Sequence, residues 1–310
     1  MNKIADILGA RFVETITTDQ DPVSQCCSVL KARGFLLEDE SELQYETEHI
    51  YLSDNSHAND SLYLDKLLRE TDIGHIFSDD TSSLHGRYQK GYVPVPLKRW
   101  EVIITGTITE DKLLHIFSQH TRGETGNIAD WSKCAGREVF ESLKIRNHGT
   151  KVEVDFLDSY ISRLVKTLNA IGITTTYSCD GNYKDNTRNQ GDTFAFVQLR
   201  CVYDSAWLSL ILERFIPSYM DLANKWEISE LPNIVNVLKI GSNEKDPLNL
   251  YCEIQQVADI LYRNRIGLRI CKGDFFKNLP FQEYPMGING INVMKADFLR
   301  VMNTHYEKII

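Results

Sequence analysis

At 310 residues the chain has the length for one large or two modest domains with a sizeable core. Its 42% hydrophobic and 25% charged residues are ordinary for a globular protein, and no stretch approaches the ~18 apolar residues of a membrane span. A net charge of −9, with lysines and arginines scattered along the chain, argues against a general nucleic-acid coat and leaves room for a local nucleotide pocket.

The opening residues, MNKIADILGARFVETITTD, carry one early lysine, no long apolar core and acids soon after, so no secretory signal is read and the cytoplasm is the expected compartment. Seven cysteines, at 26, 27, 134, 179, 201, 252 and 271, form no C-x-x-C pair and no Cys/His zinc spacing. Reduced thiols are expected and zinc is not. Cys201 and Cys252 read as core, and one of Cys26 and Cys27 as facing inward.

The first helix is expected over DPVSQCCSVLKARG, with Asp21 as cap, Pro22 in the first turn and Gly34 as stop. LEDESELQYETEHIYLSDNSHANDS, residues 37–61, is acidic and reads as an exposed loop or edge. A helix follows in DSLYLDKLLRET, with Leu62, Leu64, Leu67 and Leu68 as its apolar stripe. GHIFSDDTSSLHG reads as a surface loop, and the turn-rich run to Arg99 as a connector with a domain boundary between 85 and 100. This gives an N-terminal helical and loop region at 1–95 and an α+β domain at 96–310.

WEVIITGTI is a strand candidate and TEDKLLHIFSQH a helix capped by Thr109. IADWSKCAGREVFESLKI reads as helical. Between about 148 and 241 the pattern is clearest: TKVEVD as a strand, FLDSYISRLVKTLNAIG as a helix ended by Gly172, then ITTTYS and TFAFVQLRCVY as strands. DSAWLSLILERFI follows as a helix capped by Asp204, and KWEIS and IVNVLKI as strands. The order β-α-β-β-α-β is that of a ferredoxin-like unit, which makes the expected fold α+β with added N-terminal and C-terminal helical elements. In the tail, LNLYCEIQQVADILYRN is a helix, IGLRIC a short strand, LPFQEYPMGINGIN a loop and VMKADFLRVMNTHYEKI a final helix. Trp131, Trp207 and Trp226 read as core.

The chemistry-bearing stretch is ITTTYSCDGNYKDN, where a strand ends in Ser178, Cys179, Asp180, Gly181 and Asn182. Cys179 is a candidate nucleophile if a base or cation stabilises its thiolate. His148 is the only histidine in the unit, but parallel neighbouring strands would put it at the opposite sheet end from Cys179. Asp180-Gly181 is also a turn dipeptide for local reasons. The polar run after it offers Asp185, Arg188 and Asp192, for ligand contact or for solvent.

With 150–155 as a strand parallel to 173–178, Asp155 and Asp180 fall at one sheet edge, within reach of one divalent ion that Asp192 could join. Asp155, or Asp158 one turn on, equally reads as an N-cap of the following helix. The expected site is thus Asp155, Asp180 and Cys179 for chemistry, His148, Ser178, Asn182 and Arg188 for ligand contacts, and Asp155, Asp180 and Asp192 for Mg2+ or Mn2+.

LVKTLNAIGITTTYSCDGN followed by FAFVQLR resembles a pattern of small bacterial and phage proteins with a Ser-Cys-x-Gly-His turn between two strands, with Asn182 here in place of the histidine. That family brings no chemistry with it. VEVDFLD with RNQGDTFAFV is similar to the palm of GGDEF-type nucleotidyl cyclases. The resemblance implies Asp155 and Asp192 as Mg2+ ligands and Gly191 as the hairpin glycine, with Thr193 standing where the family has Glu. The function expected is an enzyme acting on a nucleotide or similar polar, phosphorylated substrate. The alternatives are a non-enzymatic protein using the 178–192 loop to sense a ligand or bind a protein partner, and a palm-like cyclase or transferase.

Overall fold

The computed structural model describes residues 21–38, 49–53, 55–80, 99–118, 137–145, 151–181, 194–231, 234–241, 247–285 and 287–306. They form an α+β fold with two separate antiparallel sheets. The chain divides into two compact units, Met1–Arg122 with Glu153–Asp155, and Gly123–Val152 with Phe156–Ile310. No described helix is long and apolar enough to cross a membrane.

In the first unit, α1 (Pro22–Arg33) starts where Asp21 accepts the backbone N–H groups of Val23 and Ser24, and ends at Gly34 with φ 106°. Both Cys26 and Cys27 are buried, so the helix turns a broader face inward than one cysteine. Next come β1 (His49–Leu52), α2 (Ala58–Glu70), β2 (His75–Asp80), β3 (Arg99–Ile104) and α3 (Glu110–Ser118). The sheet order is β1-β3-β2. β1 lies within the stretch expected as an acidic loop and β2 within the one expected as a surface loop. Both are strands because β3, the apolar segment read correctly, offers each of its edges to a partner. β2 and β3 therefore pair across the boundary expected at 85–100, most of which lies outside the described residues.

α2 buries Leu64, Leu67 and Leu68 as expected, while Leu62 stays 68% exposed and Tyr63 takes its place on the inward face. Its first turn is a capping box: Asn59 donates its N–H to His57, and the His57 N–H donates to Asp60.

Among the described residues 151–155, the strand expected at 150–155 does not form. Val154–Phe156 is a 3-10 turn, and side chains claim both backbone groups of Val154: its N–H donates to Asp60 at 2.9 Å, and the buried Arg33 donates to its carbonyl at 3.5 Å. With those groups taken, Val154 has no backbone donor left for a neighbouring strand.

In the second unit the described elements are α4 (Arg137–Ile145), α5 (Ser162–Ala170), β4 (Thr175–Cys179), β5 (Phe194–Leu199), α6 (Val202–Leu210), β6 (Lys225–Leu231), β7 (Ile234–Gly241), α7 (Pro247–Arg263), α8 (Arg265–Asn278) and α9 (Ile288–Tyr306). The sheet order is β4-β5-β7-β6, with every neighbouring pair antiparallel. A ferredoxin-like unit is not confirmed: without a strand at 150–155 the order from α5 is α-β-β-α-β-β, and β4 has no parallel neighbour among the described strands.

Ala195, Val197, Leu199, Leu238 and Ile240 on one sheet face join Leu164, Leu168, Ala206, Met294 and Phe298 from the helices in one core. Each fully buried aliphatic chain there stabilises by about 1.5–3 kcal/mol. α5 is buried all round, so its polar residues need internal partners. Lys166 donates to the Val152 carbonyl at 2.6 Å and Arg163 pairs with Asp259 at 2.9 Å. Trp207 is buried in this core, and Trp226 packs on its edge with its indole N–H donated to Glu253.

Three helices also differ from expectation. α6 begins at Val202 with Cys201 in extended backbone at its N-cap, and Asp204, expected as the cap, turns inward in the first turn. Residues 266–271, expected as a strand, lie in α8: Leu268, Lys272, Phe275 and Phe276 are buried, whereas Ile266 and Ile270 are each 58% exposed. Alternate residues therefore point to different sides, and the burial period is helical. The final helix also starts earlier than expected, at Ile288.

Candidate functional site

β4 and the turn after it hold the site. β4 enters the sheet through a clamp at 172–174. Lys272 donates to the Gly172 carbonyl at 2.5 Å and to Asp204, and the Asp204 carboxylate accepts the Thr174 N–H at 3.0 Å. Lys272 is 2% exposed and Asp204 1%, so both charges are compensated inside the unit. On the far side of the clamp the strand runs to Cys179, paired with Phe196 on β5, while Ser178 pairs with Val197. Directly opposed residues share a face, so Ser178 takes the core side and Cys179 the other.

Beyond Cys179 the backbone turns at Gly181, which has φ 88°. A Cβ there would sit 2.9 Å from the Phe194 carbonyl oxygen, so both conformation and space require glycine. That turn directs two backbone donors. The Gly181 N–H reaches the Cys179 Sγ at 3.4 Å, and the Asp180 N–H reaches the Asp158 carboxylate at 3.3 Å. Asp158 is held at the entry of α5, where its carbonyl accepts the N–H groups of Ile161 and Ser162.

The result is a trio: one ligand atom each of Asp158, Cys179 and Asp180, all within 4.8 Å of one another, all three residues half-buried. A tetrahedral ion with bonds of about 2.0–2.3 Å spaces its ligand atoms about 3.3–3.8 Å apart, so side-chain rotation of about an ångström would close the set. N–H donation to sulfur serves a thiolate better than a thiol, which suits Cys179 as a donor.

Of the residues expected from sequence, Cys179 and Asp180 are thus brought together. Asp155 is not among the trio: it is buried in the 3-10 turn assigned to the first unit. Only parallel strands would set it beside Asp180, and the strand bearing Asp155 does not form. Asp158 takes its place. It is not a side-chain cap, since α5 has none; its carboxylate serves the turn after β4 instead. The sequence signal for it was its position three residues past Asp155, ahead of a helix with no better cap. Ser178 neighbours the trio from the core face. His148, Asn182, Arg188, Gly191, Asp192 and Thr193 lie outside the described residues.

The buried thiols are different chemically. Burial pushes the Cys26 thiol up to about 12, and burial with the nearby Asp204 carboxylate pushes Cys201 well above the usual thiol range. Comparison with family models, with curated proteins and with solved structures returns no match for this chain.

Proposed function

We propose that the second unit binds a divalent metal through Asp158, Cys179 and Asp180 and acts on a nucleotide or a similarly polar, phosphorylated substrate. The observation that carries this reading is the convergence of two carboxylates and one thiol at the C-terminal end of β4. Three protein ligands leave a coordination position open, which is the pattern of catalytic rather than structural sites. When bound, such an ion polarises a phosphoryl oxygen and lowers the pKa of its water. The chain's own part is to hold the donors: the Gly181 turn aims the backbone, and the Lys272–Asp204 clamp fixes where β4 begins.

The donor set also bears on the metal. Two carboxylates alone suit Mg2+ or Mn2+, but a thiolate is a soft ligand, so Zn2+ moves ahead of Mg2+ and Mn2+ stays in contention. The palm-like cyclase reading depends on Asp155 and Asp192. The first stands in a 3-10 turn and the second lies outside the described residues, so the proposal rests on the Asp158 trio instead.

The test is a melting curve of the full chain with Zn2+, Mn2+ or Mg2+, alone and with nucleoside triphosphates, alongside an assay for nucleotide turnover. The wild type is expected to gain stability with Zn2+ or Mn2+, and Asp158→Asn and Asp180→Asn to lose that gain while keeping their fold. No shift with any ion would end the proposal. A shift without turnover would move the function to ligand sensing.

A further inference from the structure

The face of the second sheet that turns away from the core is aromatic where a solvated face would be polar. The core cluster takes Ala195, Val197 and Leu199 from β5 and leaves out Phe194 and Phe196, which alternate with them. Tyr177 joins these two from β4. Its ring centroid is 5.5 Å from that of Phe196 at an interplanar angle of 30°, and Phe194 lies 6.2 Å from Phe196 at 44°. All three are half-buried. The three rings thus form one aromatic cluster on this face, with Tyr177 and Phe196 stacked on each other.

The row through Phe196 is chemically ordered. Register pairs Cys179 with Phe196, Phe196 with Lys239, and Lys239 with Glu227. One face therefore reads, across four strands, thiol, aromatic ring, amine, carboxylate. Glu227 is engaged by Lys225 at 2.7 Å, and the Lys239 amine lies 4.5 Å from the Phe194 ring centroid. With strands about 4.8 Å apart, Cys179 and Lys239 flank the Phe196 ring at roughly one strand spacing each. Cys179 thus belongs both to the polar trio and to the aromatic face.

We propose that this face is the base-binding half of the site: the planar base of a mononucleotide stacks on the aromatic cluster at Phe196, beside Lys239, with its phosphates directed to Asp158, Cys179 and Asp180. The inference rests on the reading of the trio as a metal–phosphate site and adds the substrate class. Aromatic side chains on an antiparallel sheet bind bases through their π-faces, which every base has. The single amine on the row and the chain's net charge of −9 favour one nucleotide over a polyanionic strand.

The experiment compares, with Mn2+ present, the binding of inorganic triphosphate and of the four nucleoside triphosphates to the full chain. At least one nucleotide is expected to bind roughly five- to a hundredfold tighter than triphosphate, the range that one stacked base supplies. Phe196→Ala should bring that nucleotide down to the triphosphate affinity and leave triphosphate itself unchanged, with Phe196→Leu as the milder variant if the alanine form does not fold. Equal binding of triphosphate and all four nucleotides by the wild type would overturn the base surface while the metal–phosphate reading stood. Binding of neither would remove both. If Phe196→Ala lowers the melting temperature yet leaves the nucleotide-to-triphosphate ratio intact, the rings serve only the sheet. A single-stranded oligonucleotide that bound far more tightly than any mononucleotide would overturn the mononucleotide assignment.

Discussion

Replacing Lys272 with methionine tests the clamp that sets the start of β4. The amine of Lys272 is shared between Asp204 and the Gly172 carbonyl, and Asp204 also holds the Thr174 N–H. Methionine fills most of the volume, so the change removes a charge and two hydrogen bonds with little cavity. It leaves the Asp204 carboxylate buried, 1% exposed, with the Thr174 N–H and the Cys201 thiol but no cation for compensation. Breaking a buried pair from one side costs about 3–5 kcal/mol. At roughly 2–4 °C per kcal/mol for a domain of 150–250 residues, the melting temperature should fall by roughly 6–20 °C. Urea unfolding followed by circular dichroism gives the free energy, and a second variant gives the mechanism. Lys272→Met with Asp204→Asn removes both charges and keeps an acceptor for Thr174, so it should recover at least half of the loss. A single-variant cost below about 1 kcal/mol, or a double variant no better than the single, would refute the reasoning.

Gly181→Ala should destabilise by more than the ~1 kcal/mol that a compatible site would gain, because its φ is 88° and the new methyl meets the Phe194 carbonyl at 2.9 Å. Chemical denaturation measures that cost, and metal binding should weaken with it as the Asp180 and Gly181 donors shift. Glu253→Ala leaves the N–H groups of Ala223 and Asn224 and the indole of Trp226 without their shared acceptor. The expected loss is about 3 kcal/mol or more, with a change in tryptophan fluorescence. Asp65 is held below the ordinary carboxylate value of 3.8 by its hydrogen bond from His75, with Arg69 adding to it. A lowered folded pKa gives stability that is present above 3.8 and is lost as pH falls through the lower folded value. Asp65→Asn should therefore flatten the acid end of the stability profile, and an unchanged profile would contradict the assignment.

The parts legible in the sequence were those whose causes are local. Asp21, Pro22 and Gly34 mark α1 through caps, Gly172 ends α5 through its positive φ, and β4 to β7 follow from β-branched and aromatic runs. What was illegible depended on partners far along the chain. His49–Leu52 and His75–Asp80 carry polar residues and become strands only because β3 lies between them. VEVD alternates as a strand should, yet Asp60 and Arg33, 94 and 121 residues away, take its backbone groups. Ile266, Leu268 and Ile270 alternate too, but only Leu268 is buried, since packing along α8 follows a helical face. The same long-range effect explains the site. Cys179 and Asp180 were visible because a strand ends in a glycine turn there. Asp155 was preferred to Asp158 because the strand order was inferred as parallel, and the described strands are all antiparallel.

The central claim is that Asp158, Cys179 and Asp180 hold one ion. Its most direct measurement is residue-resolved alkylation of the native chain, read by mass spectrometry with and without Zn2+. Without metal, half-buried Cys179 should react well before Cys26 and Cys201, whose thiols are buried and shifted upward. Stoichiometric Zn2+ should then protect Cys179 by at least tenfold, and Asp158→Asn should abolish the protection, judged against the variant's own metal-free rate. Cys179 alkylating at the same rate with and without the ion would contradict the account.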